Sequence, residues 1–254
     1  MEEHVICRRN PPVAEVVINR PGKRNAMTKG MWAKLASCTE TYCRDDKVRV
    51  VVYRGAGGAF TAGDDIGEML YLRDSEEADD FFDTLARAFA ALLECQKPTI
   101  ALVEGPAVGG GAELLLAVDY VIATPEATIG FPEIHIGLIS PVLLTLGARI
   151  LGARKAKHLA LTGKLLDPRE AMDLGIVDVV TSDPEDKLES AIGFFASLPE
   201  TAVSSVKRIA ASQAEKSALL AALEALKKLS VSRVAKERMK AFLEKRLSRP
   251  SLGP

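Results

Sequence analysis

The stretch that most restricts the fold runs from residue 99 to residue 118. Thr99–Val103 is a short apolar run that reads as a buried strand. Gly109, Gly110 and Gly111 then follow in a row, and a second apolar run occupies 114–118. A strand that turns through glycines into a helix start aims backbone N–H groups outward, with no Cβ in the way of an anion. Glu113 falls in the first helical turn, so its carboxylate stands beside those donors. A carboxylate there is also an ordinary helix stabiliser, and such short patterns recur by chance.

The same construction occurs earlier. Residues 48–53 form a continuous apolar strand, typical of a sheet covered on both faces. A small-residue turn follows, Gly55-Ala56-Gly57-Gly58-Ala59-Phe60-Thr61-Ala62-Gly63-Asp64-Asp65-Ile66. Around these two turns the chain alternates between strand and helix signals. Strands are predicted over 5–8, 13–19, 120–123, 127–131 and 176–180. Thr28 is placed to cap a helix reaching about residue 44, with Met31, Leu35, Cys38 and Tyr42 on one face. Residues 75–94 read as an amphipathic helix, and Pro141 suits the first turn of another behind Ser140. Gly163 marks a helix end, and Asp167-Pro168-Arg169-Glu170 has the form of a capping box. From Pro184 onward the pattern is helical. The composition shifts near residue 198, which predicts a core over 1–197 and a helical region over 198–254. Strand–helix alternation followed by a helical tail predicts an α/β fold with a helical appendage. The tail's apolar stripe of Leu219, Leu223, Leu226, Leu229, Met239, Phe242 and Leu243 is expected to form a subunit contact.

Composition narrows the function classes. The 254 residues are 48% hydrophobic and 26% charged, with a formal net charge of -1. That balance suits a globular protein and supplies no global field for nucleic acid or an anionic membrane; Lys227-Lys228 and Lys245-Arg246 are local basic patches. The start, Met-Glu-Glu-His, lacks the pattern of a signal peptide, and no apolar run reaches the roughly 20 residues needed to cross a bilayer. Cys7, Cys38, Cys43 and Cys95 show no metal-ligand spacing and no disulfide framework, so a reduced cytoplasmic protein is expected.

The two turns together suggest chemistry. A backbone N–H near Ala62 and another near Gly110 would make an oxyanion hole, which stabilises charge growing on a carbonyl oxygen. No Ser–His or Cys–His pair accompanies them, so a covalent acyl intermediate is not the obvious route. Two carboxylates do, Glu113 and Glu133. Close together in an apolar pocket, they could not both ionise easily, and one would hold a proton. An acid, a base and an enolate-stabilising hole suit proton transfer beside a carbonyl, or addition of water across a conjugated double bond. The loop Arg20-Pro21-Gly22-Lys23-Arg24-Asn25-Ala26-Met27 reads either as a solvated turn or as a basic lip for a phosphate-bearing ligand. The triple glycine fits neither a dinucleotide fingerprint nor a phosphate-binding P-loop.

The chain resembles the enoyl-CoA hydratase/isomerase, or crotonase, family. The matching segments are RPGKRNAM (20–27), FTAGDDIGEM (60–69), GPAVGGGAE (105–113), FPEIHIG (131–137), 161–163, 175–180 and KAFLEKR (240–246). Their order and spacing carry the resemblance over nearly the whole chain. It implies a crotonase-like spiral of repeated ββα units with a C-terminal helical region that assembles trimers or dimers of trimers. It implies an enoyl-CoA hydratase of fatty acid metabolism, with a Δ3-Δ2 enoyl-CoA isomerase or a crotonase-like binding protein as alternatives. Ala62 and Gly110 would be the two oxyanion donors, and Glu113 and Glu133 the catalytic glutamates. Lys23, Arg24 and Ala26 would receive the adenine and phosphates of coenzyme A. Residues Ala62, Gly63, Asp64, Asp65 and Ile66 would lie along the rest of that group. No metal and no permanently bound cofactor are implied, since coenzyme A arrives with the substrate. The run Ile139-Ser140-Pro141-Val142-Leu143-Leu144 departs from the Pro-Gly-Ala-Gly-Gly of many hydratases, yet leaves the Val142 N–H to hold a water.

Overall fold

A computed structural model describes residues 3–212 and 216–245. Strands β1 (Val5–Asn10) and β2 (Val13–Ile18) form an antiparallel hairpin through Pro11-Pro12. Helix α1 (Lys29–Arg44) follows, with the Thr28 hydroxyl accepting from the Met31 N–H at its N-terminus. Next come β3 (Val50–Gly55), the short α2 (Ile66–Leu70) and the long α3 (Ser75–Glu94). Then β4 (Thr99–Val103), β5 (Pro106–Val108) and α4 (Gly110–Leu115) build the central turn. Strands β6 (Tyr120–Ala123) and β7 (Thr128–Gly130) lead into a 3-10 turn, Glu133–Ile136, and a π-helical turn, Leu143–Gly147. The helices α5 (Ala148–Leu151) and α6 (Ala153–Thr162), strand β8 (Leu165–Leu166), α7 (Pro168–Asp173) and β9 (Val179–Val180) close the core. Helix α8 (Pro184–Ser197) packs on the core sheet, and α9 (Glu200–Ser212), α10 (Lys216–Ser230) and α11 (Arg233–Leu243) form the tail.

The strands make two sheets. One has the order β1-β2-β3-β4-β6-β9, parallel from β2 onward; the other has the order β5-β7-β8. The chain visits them in alternation: β4 then β5, β6 then β7. Even the first turn takes part, because Thr61 bridges Ala107 after β3. Each circuit is therefore strand, strand, helix, which is the ββα spiral. The period of two along β3, β4 and β6 explains the layers. Val51, Tyr53, Ala101, Val103, Val121 and Ala123 face the main core, while Val50, Val52, Ile100, Leu102 and Ile122 face Leu188 and Ala191 of α8.

Four readings of the sequence need correction. Strands β5 and β8 and helix α2 were not expected. Each is short enough that pairing or one cap decides it, and no periodicity develops. The strand predicted over 176–180 shrinks to β9, because only Ile122 and Ala123 of β6 pair with it. The leucine stripe is not mainly an outer face. Leu223, Leu226 and Met239 are buried in the chain's own core and Leu219 and Leu229 are half-buried against it, whereas Phe242 and Leu243 remain exposed. Finally, all four cysteines are paired. Cys7 joins Cys38 with Cα atoms 6.3 Å apart, and Cys43 joins Cys95 at 5.3 Å. Separations of 31 and 52 residues hid these pairs; packing β1 against α1, and α1 against α3, brings them together. Among the described residues no helix is long and apolar enough to cross a membrane. Arg246, the end of one basic patch and of one family-like segment, lies outside the described residues.

Candidate active site

The two glycine turns meet. The Val108 N–H donates to the Thr61 carbonyl at 2.9 Å, and the Phe60 and Thr61 N–H groups donate to the Pro106 carbonyl. The contact is closer than any Cβ allows. A Cβ on Gly63 would lie 2.6 Å from the Val108 oxygen and 3.1 Å from the Gly110 nitrogen, and one on Gly111 would lie 2.7 Å from the Thr61 oxygen. Gly63 also has φ +81, where L side chains are strained. Glycine at these positions is thus demanded by backbone meeting backbone, and the result is that both turns open onto one cavity.

That cavity has a volume of about 180 Å³. Its reactive end is lined by Asp64, Gly109, Gly110, Glu113 and Glu133. Met69 of α2, Leu85 of α3, Leu138, Leu226 of α10 and Phe242 of α11 wall it with apolar surface. The tail therefore helps build the site, which its sequence did not disclose. Glu113 is only 3% exposed. Its Oε1 accepts the Val142 N–H at 2.7 Å and the Leu143 N–H at 3.1 Å. The first of these is the N–H expected to hold a water; it is engaged by the glutamate instead. Glu133 accepts from the Ser140 hydroxyl at 2.6 Å, and a Cβ on Gly109 would sit 3.4 Å from its Oε1. Burial pushes the Glu113 carboxyl well above the usual carboxylate range, and the charge of Glu133 pushes it further. Burial likewise raises Glu133 to about 7. Two carboxyls in one largely apolar cavity disfavour each other's ionised form, which favours a proton on one of them.

The first turn corrects one expected donor. The Ala62 N–H is already bonded to the Arg24 carbonyl at 3.0 Å. Two residues on, the Asp64 N–H has no partner among the described residues, and neither has the Gly110 N–H. The signal for Asp64 in place of Ala62 is a long-range one. Asn25, fully buried, donates to the Ala56 and Ala59 carbonyls at 2.9 and 2.7 Å and fixes which way the turn faces. Asp65 caps α2 by accepting the Glu68 N–H at 3.1 Å and pairs with Arg20. Ile66 lines the cavity. Lys23 and Arg24 are exposed, and Arg24 stands at the cavity wall; Ala26 is half-buried behind them. Asp64 also lines the cavity, with Oδ1 accepting the Trp32 indole N–H at 2.7 Å.

A spiral of ββα units closed by a helical tail, with two glutamates lining one cavity beside the glycine turns, defines a class on which sequence comparison agrees. The profile of the family described as Enoyl-CoA hydratase/isomerase matches residues 8–249. The chain is 33% identical over 253 residues to YhaR of Bacillus subtilis, named among enoyl-CoA hydratases/isomerases, covering 93% of this chain and 94% of that protein. It is 31% identical over 204 residues to the mitochondrial Delta(3,5)-Delta(2,4)-dienoyl-CoA isomerase of Rattus norvegicus, covering 73% of this chain and 61% of that one. A solved enoyl-CoA hydratase/isomerase from Mycobacterium paratuberculosis superposes with a TM-score of 0.88 at 26% identity, covering 94% of this chain and 98% of that chain. The protein belongs to the enoyl-CoA hydratase/isomerase family and has its crotonase-like fold.

Proposed function

We propose that the protein is an enoyl-CoA hydratase that adds water reversibly across the 2,3 double bond of a 2-enoyl-CoA thioester. The observation that carries this reading is that Glu113, buried, and Glu133, half-buried, line one largely apolar cavity beside two backbone N–H groups without partners among the described residues. The N–H groups of Asp64 and Gly110 would hold the thioester oxygen. As charge gathers there, the enolate form is stabilised, and loss of one such donor typically costs about 2.7–4 kcal/mol. One glutamate removes a proton from water as its oxygen bonds to C3. The other delivers its proton to C2, so that a hydrogen and a hydroxyl are added in total. Exposed Lys23 and Arg24 suit the phosphates of coenzyme A. The remaining exposed apolar residues of the tail suit assembly into trimers or dimers of trimers. A cytoplasmic place in fatty acid metabolism fits this chemistry. Purified protein should remove the conjugated absorbance of a 2-enoyl-CoA; a chain that leaves every 2-enoyl-CoA unchanged would sink the reading.

One observation favours a second reading. The Val142 N–H is bonded to Glu113 rather than left for a water. A Δ3-Δ2 enoyl-CoA isomerase needs a proton shuttle and no bound water, and the same two glutamates could supply it. Assaying one panel of thioesters for both hydration and double-bond migration separates the two.

A further inference from the structure

The Asp64 side chain is an acid that the two-glutamate chemistry does not use. One of its oxygens is fixed by the Trp32 indole, itself wholly buried in α1. The other has no partner among the described residues and is not among their sealed, unsatisfied polar atoms, and the residue lines the cavity. A Cβ built on Gly110 would lie 3.8 Å from Asp64 Oδ1. One built on Gly109 would lie 3.4 Å from Glu133 Oε1. The two glycines at the start of α4 thus stand between two acids, with Asp64 on the flank of the unpaired Gly110 N–H.

The groups around Asp64 do not favour an anion there. Asp65 and Glu68 are acids of its own segment, and Glu113 and Glu133 are acids across the cavity. Of the basic groups nearby, Arg20 pairs with Asp65 and Lys29 with Asp80; Arg24, largely exposed, and His135 line the same cavity. Trp32 offers a neutral donor only. An ionised carboxylate on the flank of an oxyanion hole would oppose the charge the hole exists to stabilise. A protonated one has an O–H to donate. We infer that Asp64 serves as a neutral carboxylic acid whose free oxygen donates a hydrogen bond toward the thioester oxygen, a side-chain donor beside the backbone N–H groups. Burial raises this carboxyl to about 7, in keeping with that form.

The inference rests on the thioester reading of the cavity but not on hydration. Its test uses a 3-oxoacyl-CoA, whose enolate absorbs in the near ultraviolet and needs no turnover. Asp64→Ala should lower the fraction bound as enolate at least about tenfold. Asp64→Asn keeps an acceptor for Trp32 and a donor for the ligand, and should recover most of that loss. Equal loss in both variants would mean that a charge is needed and overturns the inference. Wild-type behaviour in both would reduce Asp64 to a brace for Trp32 and also overturns it. If Asp64→Ala does not fold, the infrared spectrum decides: the intact protein at pH 6 should show a protonated-carboxyl band that Asp64→Asn lacks, and no such difference overturns the inference. Enolate binding without hydration of any enoyl thioester would sink the hydratase reading and leave Asp64 its role. A chain that binds no thioester sinks both.

Discussion

The turns after β3 and β4 are alike in sequence and differ in what holds them. Both leave a buried parallel strand and pass through small residues into a helix. The turn after β4 is held by main chain: the Val108 N–H on Thr61, the Gly109 N–H on the Gly130 carbonyl at 2.9 Å, and β5 on β7. The turn after β3 shares the main-chain contact at Thr61 and adds to it a side-chain clamp from elsewhere. Asn25 clamps three of its carbonyls, and the Thr61 hydroxyl donates to the Asn25 carbonyl at 2.7 Å. Main-chain pairing leaves a local trace, because glycine is required where backbones touch. A clamp from a distant asparagine leaves none in the turn itself.

The largest test of the contrast is Glu113, the side chain that the main-chain-held turn delivers. Glu113→Gln should lower kcat for hydration by about 10²–10⁴ while leaving thermal stability equal or higher, since it removes an acid from a buried site. Loss of activity with a parallel loss of folding would mean that Glu113 is chiefly a brace for Val142 and Leu143.

Next in size come the clamps. Asn25→Ala removes four hydrogen bonds, three to carbonyls and one from the Arg20 N–H, and leaves buried carbonyls unsatisfied, at about 1–3 kcal/mol each before relaxation. Gly111→Ala pushes a methyl to within 2.6 Å of the Thr61 side chain and 2.7 Å of its carbonyl, which costs about 1–3 kcal/mol by overpacking. Urea unfolding should rank Asn25→Ala the more destabilised. The reverse order would show that the first turn holds without its clamp.

The disulfides brace the helices beneath the first turn, since α1 carries both Cys38 and Cys43 and also Trp32 under Asp64. Thiol titration of the unfolded, unreduced chain should find no free thiol, and reduction should cost about 2–4 kcal/mol per bond. Four titrating thiols would restore the reduced protein that the sequence suggested.

How far the sequence could be read follows from the same distinction. Glu113 and Gly110 stood out because strand, glycines and helix are contiguous, and Glu133 because its segment matches a family. The α/β alternation, the Thr28 cap and the capping box at Asp167 were local and were legible; in the structure Asp167 and Glu170 satisfy each other's backbone. Ala62 was a poor choice of donor because its N–H is engaged by a carbonyl 38 positions away in sequence. Leu226 and Phe242 reached the cavity wall only through the packing of α10 and α11. The cysteine pairs span whole elements. In each case a contact between distant residues decided the outcome, and such contacts have no period.

The smallest effect separates the two glutamates themselves. Glu133 is held by one hydroxyl, whereas Glu113 is held by two backbone N–H groups. In the unfolded chain Glu133 ionises near its ordinary value of 4.5, and in the folded protein it keeps its proton to about 7. Between those values the native state binds more protons than the unfolded state, so stability is full below about 4.5 and falls as pH rises to about 7. Glu133→Gln carries no such proton. Measured against it, wild-type stability should decline with rising pH across that window, with a slope of at most about 1.4 kcal/mol per pH unit. A constant difference between the two proteins from pH 5 to 8 would mean that Ser140 alone holds Glu133 ionised, and the shared proton on which the acid and base roles depend would have to come from Glu113.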